Sequence, residues 1–243
     1  MEEQTDGVAV SPQMAVTEVL RRMPHAANVF EDADIDYCCK GSSSLADAAA
    51  AAGFTCDELM ARIAAQPRGN AVDWCTRPLS ELTRFLTADH GQSVAQDIPA
   101  LRAGLESLAT LHPFHPELRR AARLVGDFAA AVTAHATREE RELFPCITQL
   151  ESAGTNGDER PRVRIGQLVL REFVEHRGFH EQLRTIRELL CRVRLDSSAE
   201  ILADLLTITA DVHHHIYLEN SVLYGRAIEL ENALRARQET AAV

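Results

Sequence analysis

Four histidines recur along the chain at nearly equal intervals, and they restrict how it can fold. They are His90, His135, His176 and His215, separated by 45, 41 and 39 residues. Apolar residues recur every three or four positions along four long stretches, which predicts helices at about 79–108, 116–150, 162–193 and 198–235. Each stretch contains one of the four histidines. The chain is therefore expected to be all-α, with four long helices as its main part.

The breaks between the four predicted helices fall midway between successive histidines. They carry proline, glycine, asparagine or serine at 111–116, 152–161 and 196–198. Residues equidistant from a tight turn lie at the same level in antiparallel neighbours. We therefore predict an up-down-up-down four-helix bundle in which the imidazoles form one layer. Pro99 lies inside the first helix and is expected to kink it.

Two of the histidines are followed by a glutamate four positions later on the same helix face. In the last helix Ile208 and Val212 lead at core spacing to His215 and Glu219, and in the second helix His135 precedes Glu139. Burying these polar groups together is costly without a cation to bind them. The pattern predicts a metal centre formed by four histidines with Glu139 and Glu219, in which the two carboxylates can bridge two cations.

The donor types narrow the choice of metal. Mixed imidazole and carboxylate ligation suits iron, manganese or zinc, and a two-metal centre with open positions favours iron. The Glu-x-x-His spacing of ferritin-like enzymes is absent from the sequence. His180, four residues after His176, is either a fifth imidazole ligand or a supporting residue, and the sequence leaves both open. We expect His25, His112 and His115 to be solvated, and His213 and His214 to flank the core.

The first part of the chain is expected to be a small helical domain at 1–66, joined by a linker at 67–77 to the bundle at 78–243. Its short helical patterns include 14–23, which Ser11 and Pro12 should open. Adjacent Cys38 and Cys39 could form a strained disulfide, bind a metal, accept a thiol partner or be inert.

Charge and hydropathy exclude some classes of function. The net charge of −11 argues against nucleic-acid binding, and no uncharged apolar stretch of about 18 residues suggests a membrane span. The first residues are acidic rather than basic, and the six cysteines contain no Cys-x-x-Cys pair. We therefore expect a cytoplasmic protein with reduced thiols.

Three stretches of the sequence resemble a known family, the repair-of-iron-centres proteins, also called iron–sulfur cluster repair di-iron proteins. The segment from Asp34 to Cys39, with its Asp-Tyr-Cys-Cys run, is similar to that family's small N-terminal domain. The segments 135–145 (HATREERELFP) and 215–220 (HIYLEN) resemble motifs of its hemerythrin-like bundle. The two remaining ligand positions of the family are matched by His176, which follows Glu175, and by His90. The tyrosine that the family has beside the first histidine is missing here.

The resemblance implies a non-haem centre of two iron ions that helps restore iron–sulfur clusters damaged by nitric oxide or oxidants. Iron donation and reaction with nitric oxide are alternative mechanisms, so whether the protein is an enzyme stays open. The implied partners are damaged iron–sulfur proteins, nitric oxide or oxygen, and a second copy of the chain. His180 makes the histidine count similar to that of oxygen-binding hemerythrins. This supports a second hypothesis, a reversible oxygen or nitric oxide binder or sensor. A structural zinc or manganese site is a third hypothesis.

Overall fold

The structure, a computed structural model, describes residues 10–67, 72–156 and 164–241, and within these ranges it contains helices and no β-strand. The all-α prediction is confirmed for these residues. The chain divides into two compact units, Met1–Cys75 and Thr76–Val243. Residues 68–71 of the expected linker and 157–163 around the second predicted turn lie outside the described residues.

The first unit contains four short helices in its described part. They are α1 (Val16–Arg22), α2 (Ala26–Asp32), α3 (Leu45–Ala51) and α4 (Cys56–Ala64). Ser44 caps α3, and Thr55 with Glu58 forms a capping box at the start of α4. These caps satisfy backbone amides that such short helices would otherwise leave without partners.

The first helix begins later than the sequence predicted. Ser11 and Pro12 form a turn instead of its N-terminus, and α1 starts at Val16. The backbone oxygens of Pro12 and Met14 accept hydrogen bonds from the amides of Ala46 and Leu45. Because these oxygens pair with the start of α3, this stretch cannot enter the helix.

The second unit is a bundle of four helical rods, three of which contain a π-helical turn. In chain order its elements are α5 (Leu79–Gln92), a π turn (Ser93–Asp97), α6 (Ile98–Leu111); α7 (Pro116–Arg138), a π turn (Glu139–Leu143), α8 (Phe144–Asn156); α9 (Ile165–Cys191); and α10 (Ser198–Tyr217), a π turn (Leu218–Leu223), α11 (Tyr224–Ala241). Helix α6 packs on α7, α7 on α9, α9 on α10, and α10 on α6. The four rods therefore enclose one core, which places side chains from all of them at a common centre.

The first rod continues past Pro99 through a π-helical turn. Pro99 is the second residue of α6, directly after the turn Ser93–Asp97. Pro99 cannot donate a backbone hydrogen bond, and the rod continues past it with this wider turn directly before it. In the ranges described, every helix is too short or too polar to cross a lipid bilayer.

Candidate metal centre

The structure brings the six predicted ligands together in the core of the bundle. They form two overlapping groups that share both glutamates, and the ligand atoms within each group lie within 4.8 Å of one another. Both glutamate side chains are fully buried. The first group is His135, His176, Glu139 and Glu219, and the second is His90, His215, Glu139 and Glu219. We call these six residues the centre.

In the first group two imidazole nitrogens face each other across the space beside the carboxylates. His135 Nε2 lies 3.1 Å from His176 Nε2. His135 Nε2 is also 3.2 Å from Glu139 Oε2, and His176 Nε2 is 3.2 Å from Glu219 Oε2. Four donor atoms therefore surround one small volume.

The second group has the same composition on the other side of the carboxylates. His215 Nε2 is 3.0 Å from Glu219 Oε1, and His90 Nε2 is 3.5 Å from Glu139 Oε2. The two rings lie 4.5 Å apart between centroids. Each glutamate thus has a histidine from both groups within reach, which is the arrangement that a bridging carboxylate needs.

The outer nitrogen of every histidine in the centre meets an oxygen acceptor. These Nδ1 contacts are His90 to Glu140 (3.2 Å), His135 to Glu175 (2.9 Å), His176 to Asn220 (2.9 Å) and His215 to Asp89 (2.6 Å). An Nδ1–H that donates outward leaves Nε2 as the metal-binding nitrogen and fixes the orientation of the ring. The four Nε2 atoms are therefore directed at the carboxylates.

Two buried carboxylate oxygens indicate whether the centre can hold a cation. Among the described residues, none makes a well-formed hydrogen bond to Glu139 Oε2 or Glu219 Oε2, although both atoms are inaccessible to solvent. Buried oxygens without hydrogen-bond donors are unfavourable, and a cation between them and the Nε2 atoms removes that cost. The residues present therefore fit a metal, and their nitrogen and oxygen donors suit iron, manganese or zinc.

Without a cation, protons supply the positive charge that the centre requires. Burial lowers the pKa of His135, but the carboxylates of Glu139 and Glu172 outweigh it and raise the value to about 11. Burial likewise lowers the pKa of His215, but the carboxylates of Glu219 and Asp89 outweigh it and raise the value to about 10. Burial, together with the charge on His215, lowers the pKa of His90 to about 4. The centre thus holds protons that a metal would have to displace.

The three π-helical turns occur at the ligands. One begins at Glu139, one contains Glu219, and one starts three residues after His90. Isolated π turns are rare and occur often at functional sites, because the wider turn shifts side chains around the helix. Apolar periodicity alone did not reveal them.

Tyr224 is a member of the site that the sequence analysis missed. Its hydroxyl donates a hydrogen bond to Glu139 Oε1, and its ring stacks on that of His176 at 6.3 Å between centroids. Burial, together with Glu219 and Glu139, raises the pKa of Tyr224 well above its usual value. The hydroxyl therefore remains a neutral donor that holds one carboxylate oxygen.

A small cavity of about 30 Å³ adjoins the centre, enough for about one water-sized molecule. Apolar side chains from all four rods line much of it, and they are Val94, Val132, Phe179, Val212 and Ile216. Five of the six residues of the centre also line it, so the cavity includes the space between the ligands themselves.

His180 lies one helical turn beyond His176 and pairs with another histidine. Its Nδ1 is 3.0 Å from Nε2 of His213, which is buried. Among the described residues, neither group of the centre includes His180. Of the two interpretations left open by the sequence, this geometry favours a supporting residue.

Cys38 and Cys39 lie next to each other in the loop after α2 of the first unit. Their Sγ atoms are 3.5 Å apart, so the structure does not join them in a disulfide. The hydrogen bond with Cys39 and burial raise the pKa of the Cys38 thiol well above its usual value. Without a cation nearby, Cys38 is therefore a poor nucleophile at neutral pH.

Two comparisons with known proteins cover most of the chain. Residues 81–227 match the hemerythrin HHE cation binding domain, and residues 12–66 match ScdA_N, a domain of unknown function (DUF542). Relatives named "Iron-sulfur cluster repair protein YtfE" from Yersinia pseudotuberculosis and Yersinia pestis are each 26% identical to this chain over 220 residues. The aligned part covers 86% of this chain and 94% of each relative.

Proposed function

This chain belongs to the hemerythrin HHE cation-binding family, and on that basis we propose that its bundle binds two iron ions and serves the repair of damaged iron–sulfur clusters. Similarity to proteins named for cluster repair over 86% of the chain supports the repair role. The observation on which the proposal mainly depends is the pair of four-residue groups that share Glu139 and Glu219.

The shared carboxylates support a count of two ions rather than one. Each group contains two histidines of its own, so two cations can each take a pair of imidazoles and share the glutamates as bridges. A single ion could not use all four Nε2 atoms and both carboxylates without changing these contacts. Two iron ions bound here would supply a redox-active centre with open positions, able to react with nitric oxide or to release iron.

The protein's own residues control how firmly iron is held. Tyr224 fixes one oxygen of Glu139, and Glu175 and Asp89 fix the rings of His135 and His215. His90 has the longest of these outer contacts, 3.2 Å to Glu140, and also the longest contact with a shared carboxylate, 3.5 Å to Glu139. The group of His90 and His215 is therefore the one from which we expect iron to leave first when it is donated to a damaged cluster.

The repair function is tested with an iron–sulfur dehydratase inactivated by nitric oxide. Iron-loaded protein should restore its activity, and the His176→Ala variant, treated in the same way, should not. Isotopically labelled iron in the bundle separates the two mechanisms. Label recovered in the repaired cluster means iron donation, whereas repair without transfer of label means reaction with nitric oxide. If iron-loaded wild-type protein produces no more recovery than free ferrous iron, the proposal is wrong.

Reversible binding of oxygen or nitric oxide is the second candidate, and the apolar side chains that line the cavity at the centre favour it. A stable spectrum that appears with the gas and disappears when the gas is removed would support this function. Narrowing the cavity with Val212→Phe should abolish that spectrum while the iron content stays unchanged. Rapid irreversible oxidation of the iron would count against it.

A structural zinc or manganese site is distinguished by elemental analysis. Protein purified from cells without added metal should contain iron at about two ions per chain, as expected for two bridged sites. If zinc or manganese fills the sites instead, both the repair function and gas binding are ruled out.

A further inference from the structure

A second cluster of metal-binding side chains lies in the first unit, far along the sequence from the bundle's ligands. One ligand atom each from Asp36, Cys38 and Cys39 lies within 4.8 Å of the other two. The Cys38 thiol donates to Asp36 Oδ1 at 3.5 Å and lies 3.5 Å from Cys39 Sγ. Two thiols and a carboxylate thus meet at one point.

The loop that carries these residues is held by its backbone. Asp34 has a φ of +56°, which reverses the chain after α2, and the Ile35 amide then donates to the Phe30 carbonyl at 2.8 Å. Asp36 Oδ1 accepts a hydrogen bond from the Cys39 amide at 2.8 Å. The carboxylate is therefore fixed against the backbone of the residue that provides one of the thiols.

Buried side chains anchor the same loop. Tyr37, between the carboxylate and the thiols, is only 1% exposed, and its ring packs against Phe30 at 6.2 Å between centroids. Beyond the cysteines, Gly41 is tightly packed, because a Cβ there would lie 2.6 Å from the Tyr37 carbonyl oxygen. The Gly41 carbonyl accepts hydrogen bonds from both the amide and the hydroxyl of Thr17. The donor atoms are thus preorganised rather than carried on a loose segment.

An acidic groove lies beside this cluster and has Asp36 in its lining. Its lining includes three aspartates, Asp34, Asp36 and Asp47, and one lysine, Lys40. Three carboxylates facing a single ammonium group produce a local field that attracts cations. The groove therefore favours the approach of a positive ion to Asp36.

From this geometry we propose that Asp36, Cys38 and Cys39 bind one thiophilic divalent cation, such as Fe²⁺ or Zn²⁺. Binding forms two metal–sulfur bonds and one metal–oxygen bond. Two S–H bonds break and their protons pass to solvent, while no electron is transferred. Thiolate sulfur selects soft or borderline metals, and three protein ligands leave one tetrahedral position open to an exchangeable fourth donor. The site does not depend on what the bundle binds.

Cobalt(II) is the probe that distinguishes this site from the bundle. Thiolate-bound cobalt has a charge-transfer absorption in the near ultraviolet, and the bundle's six predicted ligands include no cysteine. With cobalt in excess of the bundle's two sites, full-length reduced protein should develop this absorption to the level of one thiolate-bound ion per chain and release about two protons more than the Cys38→Ser variant does. Stoichiometric zinc should then remove the absorption.

Variants of the three ligands make the test specific. Cys38→Ser and Cys39→Ser should each abolish the absorption, and Asp36→Asn should weaken cobalt binding by at least about tenfold. Cys56→Ser is the matched control, because it removes another partly buried thiol of the same unit and should leave the absorption intact. Unchanged far-ultraviolet circular dichroism shows that each variant has folded.

The proposal is wrong if wild-type protein with both thiols titrated as reduced gives no charge-transfer absorption. It is also wrong if the Cys38→Ser and Cys39→Ser variants keep the absorption, or if the two thiols prove to be a disulfide that resists reductant. Each of these results leaves the iron content of the bundle, and with it the repair proposal, to be judged separately.

Discussion

His135 Nε2 and His176 Nε2 lie 3.1 Å apart, and the opposite nitrogen of each ring meets an oxygen of Glu175 or Asn220. If both outer nitrogens carry their protons, the two inner nitrogens bring their lone pairs together in a buried space. Such a pair is repulsive unless a proton or a metal ion lies between them. The protein thus has a site that must hold positive charge, and the form of that charge depends on pH and on metal supply.

Cation binding is therefore expected to release protons and to weaken as the pH falls. The raised pKa values of His135 and His215, about 11 and 10, mean that both rings are protonated at neutral pH in the cation-free protein. Each must lose its Nε2 proton to become a ligand, so filling the centre should release protons at pH 7. Anaerobic titration with ferrous iron in weakly buffered solution measures the release directly. An affinity that stays constant between pH 6 and pH 9 would contradict this prediction.

Removal of the Tyr224 hydroxyl should loosen the centre without unfolding the bundle. In Tyr224→Phe, Glu139 Oε1 loses its hydrogen bond while the ring still packs on His176. Loss of an outer partner of this kind typically lowers metal affinity about 10–100-fold. Competition with a chelator measures the change. Tyr217→Phe is the matched control, because it is the same substitution in the same rod. The Tyr217 ring lies near His214, and this variant should keep the wild-type metal affinity. Equal effects of the two substitutions would rule out a specific role for Tyr224.

His176 and His180 should differ sharply in their contribution to metal content. His176 is in the centre, whereas His180 contacts His213. His176→Ala should reduce the metal bound per chain by about half or more, since it removes a terminal ligand from one group. His180→Ala should leave the metal content unchanged, as measured by elemental analysis of both proteins after identical loading. If His180→Ala binds less metal than wild type, His180 is a fifth imidazole ligand after all.

The level of the histidines along the bundle could be predicted from the sequence, because distance from a turn fixes depth in antiparallel helices. Their outer partners could not. Glu140 and Asp89 reach His90 and His215 from other rods, and Glu175 and Asn220 reach His135 and His176 in the same way. Such contacts depend on the rotation of one rod about its axis relative to the next, which apolar spacing fixes only within a wide stripe.

Tyr224 was missed for a more specific physical reason. It follows Glu219 by five residues, which in a regular α-helix places it on a different face. The π-helical turn Leu218–Leu223 widens the helix by one residue per turn and returns Tyr224 to the face of Glu219. The sequence contains no local signal for this insertion, because the residues of the turn are compatible with an ordinary helix. Consequently, the six ligands could be predicted, but the hydroxyl that holds one of them required the structure.

The start of the first rod depends on a carboxylate from the second, which gives a prediction for stability. Glu151 of α8 accepts hydrogen bonds from the amides of Leu79 at 2.6 Å and Ser80 at 3.0 Å, at the N-terminus of α5. Pro78, the residue before this helix, provides no side-chain cap. Glu151→Ala should therefore lower the free energy of unfolding by about 1–2 kcal/mol, the usual cost of losing a helix cap.

The contribution of Glu151 to the free energy of unfolding should disappear in acid. Partial burial raises its pKa, but hydrogen bonds from Ser80 and from the Leu79 amide outweigh burial and lower the pKa below its usual value. A carboxyl with a depressed folded-state pKa contributes stability above its unfolded pKa of about 4.3 and loses it as the pH falls through the folded value. Urea unfolding of wild type and Glu151→Ala should differ at pH 7, and the difference should shrink as the pH falls below about 4. Glu188→Ala, which removes an exposed partner of Arg184, should change stability by less than about 0.5 kcal/mol at either pH. A Glu151→Ala deficit that persists undiminished in acid would show that packing, rather than the charged cap, is what the carboxylate contributes.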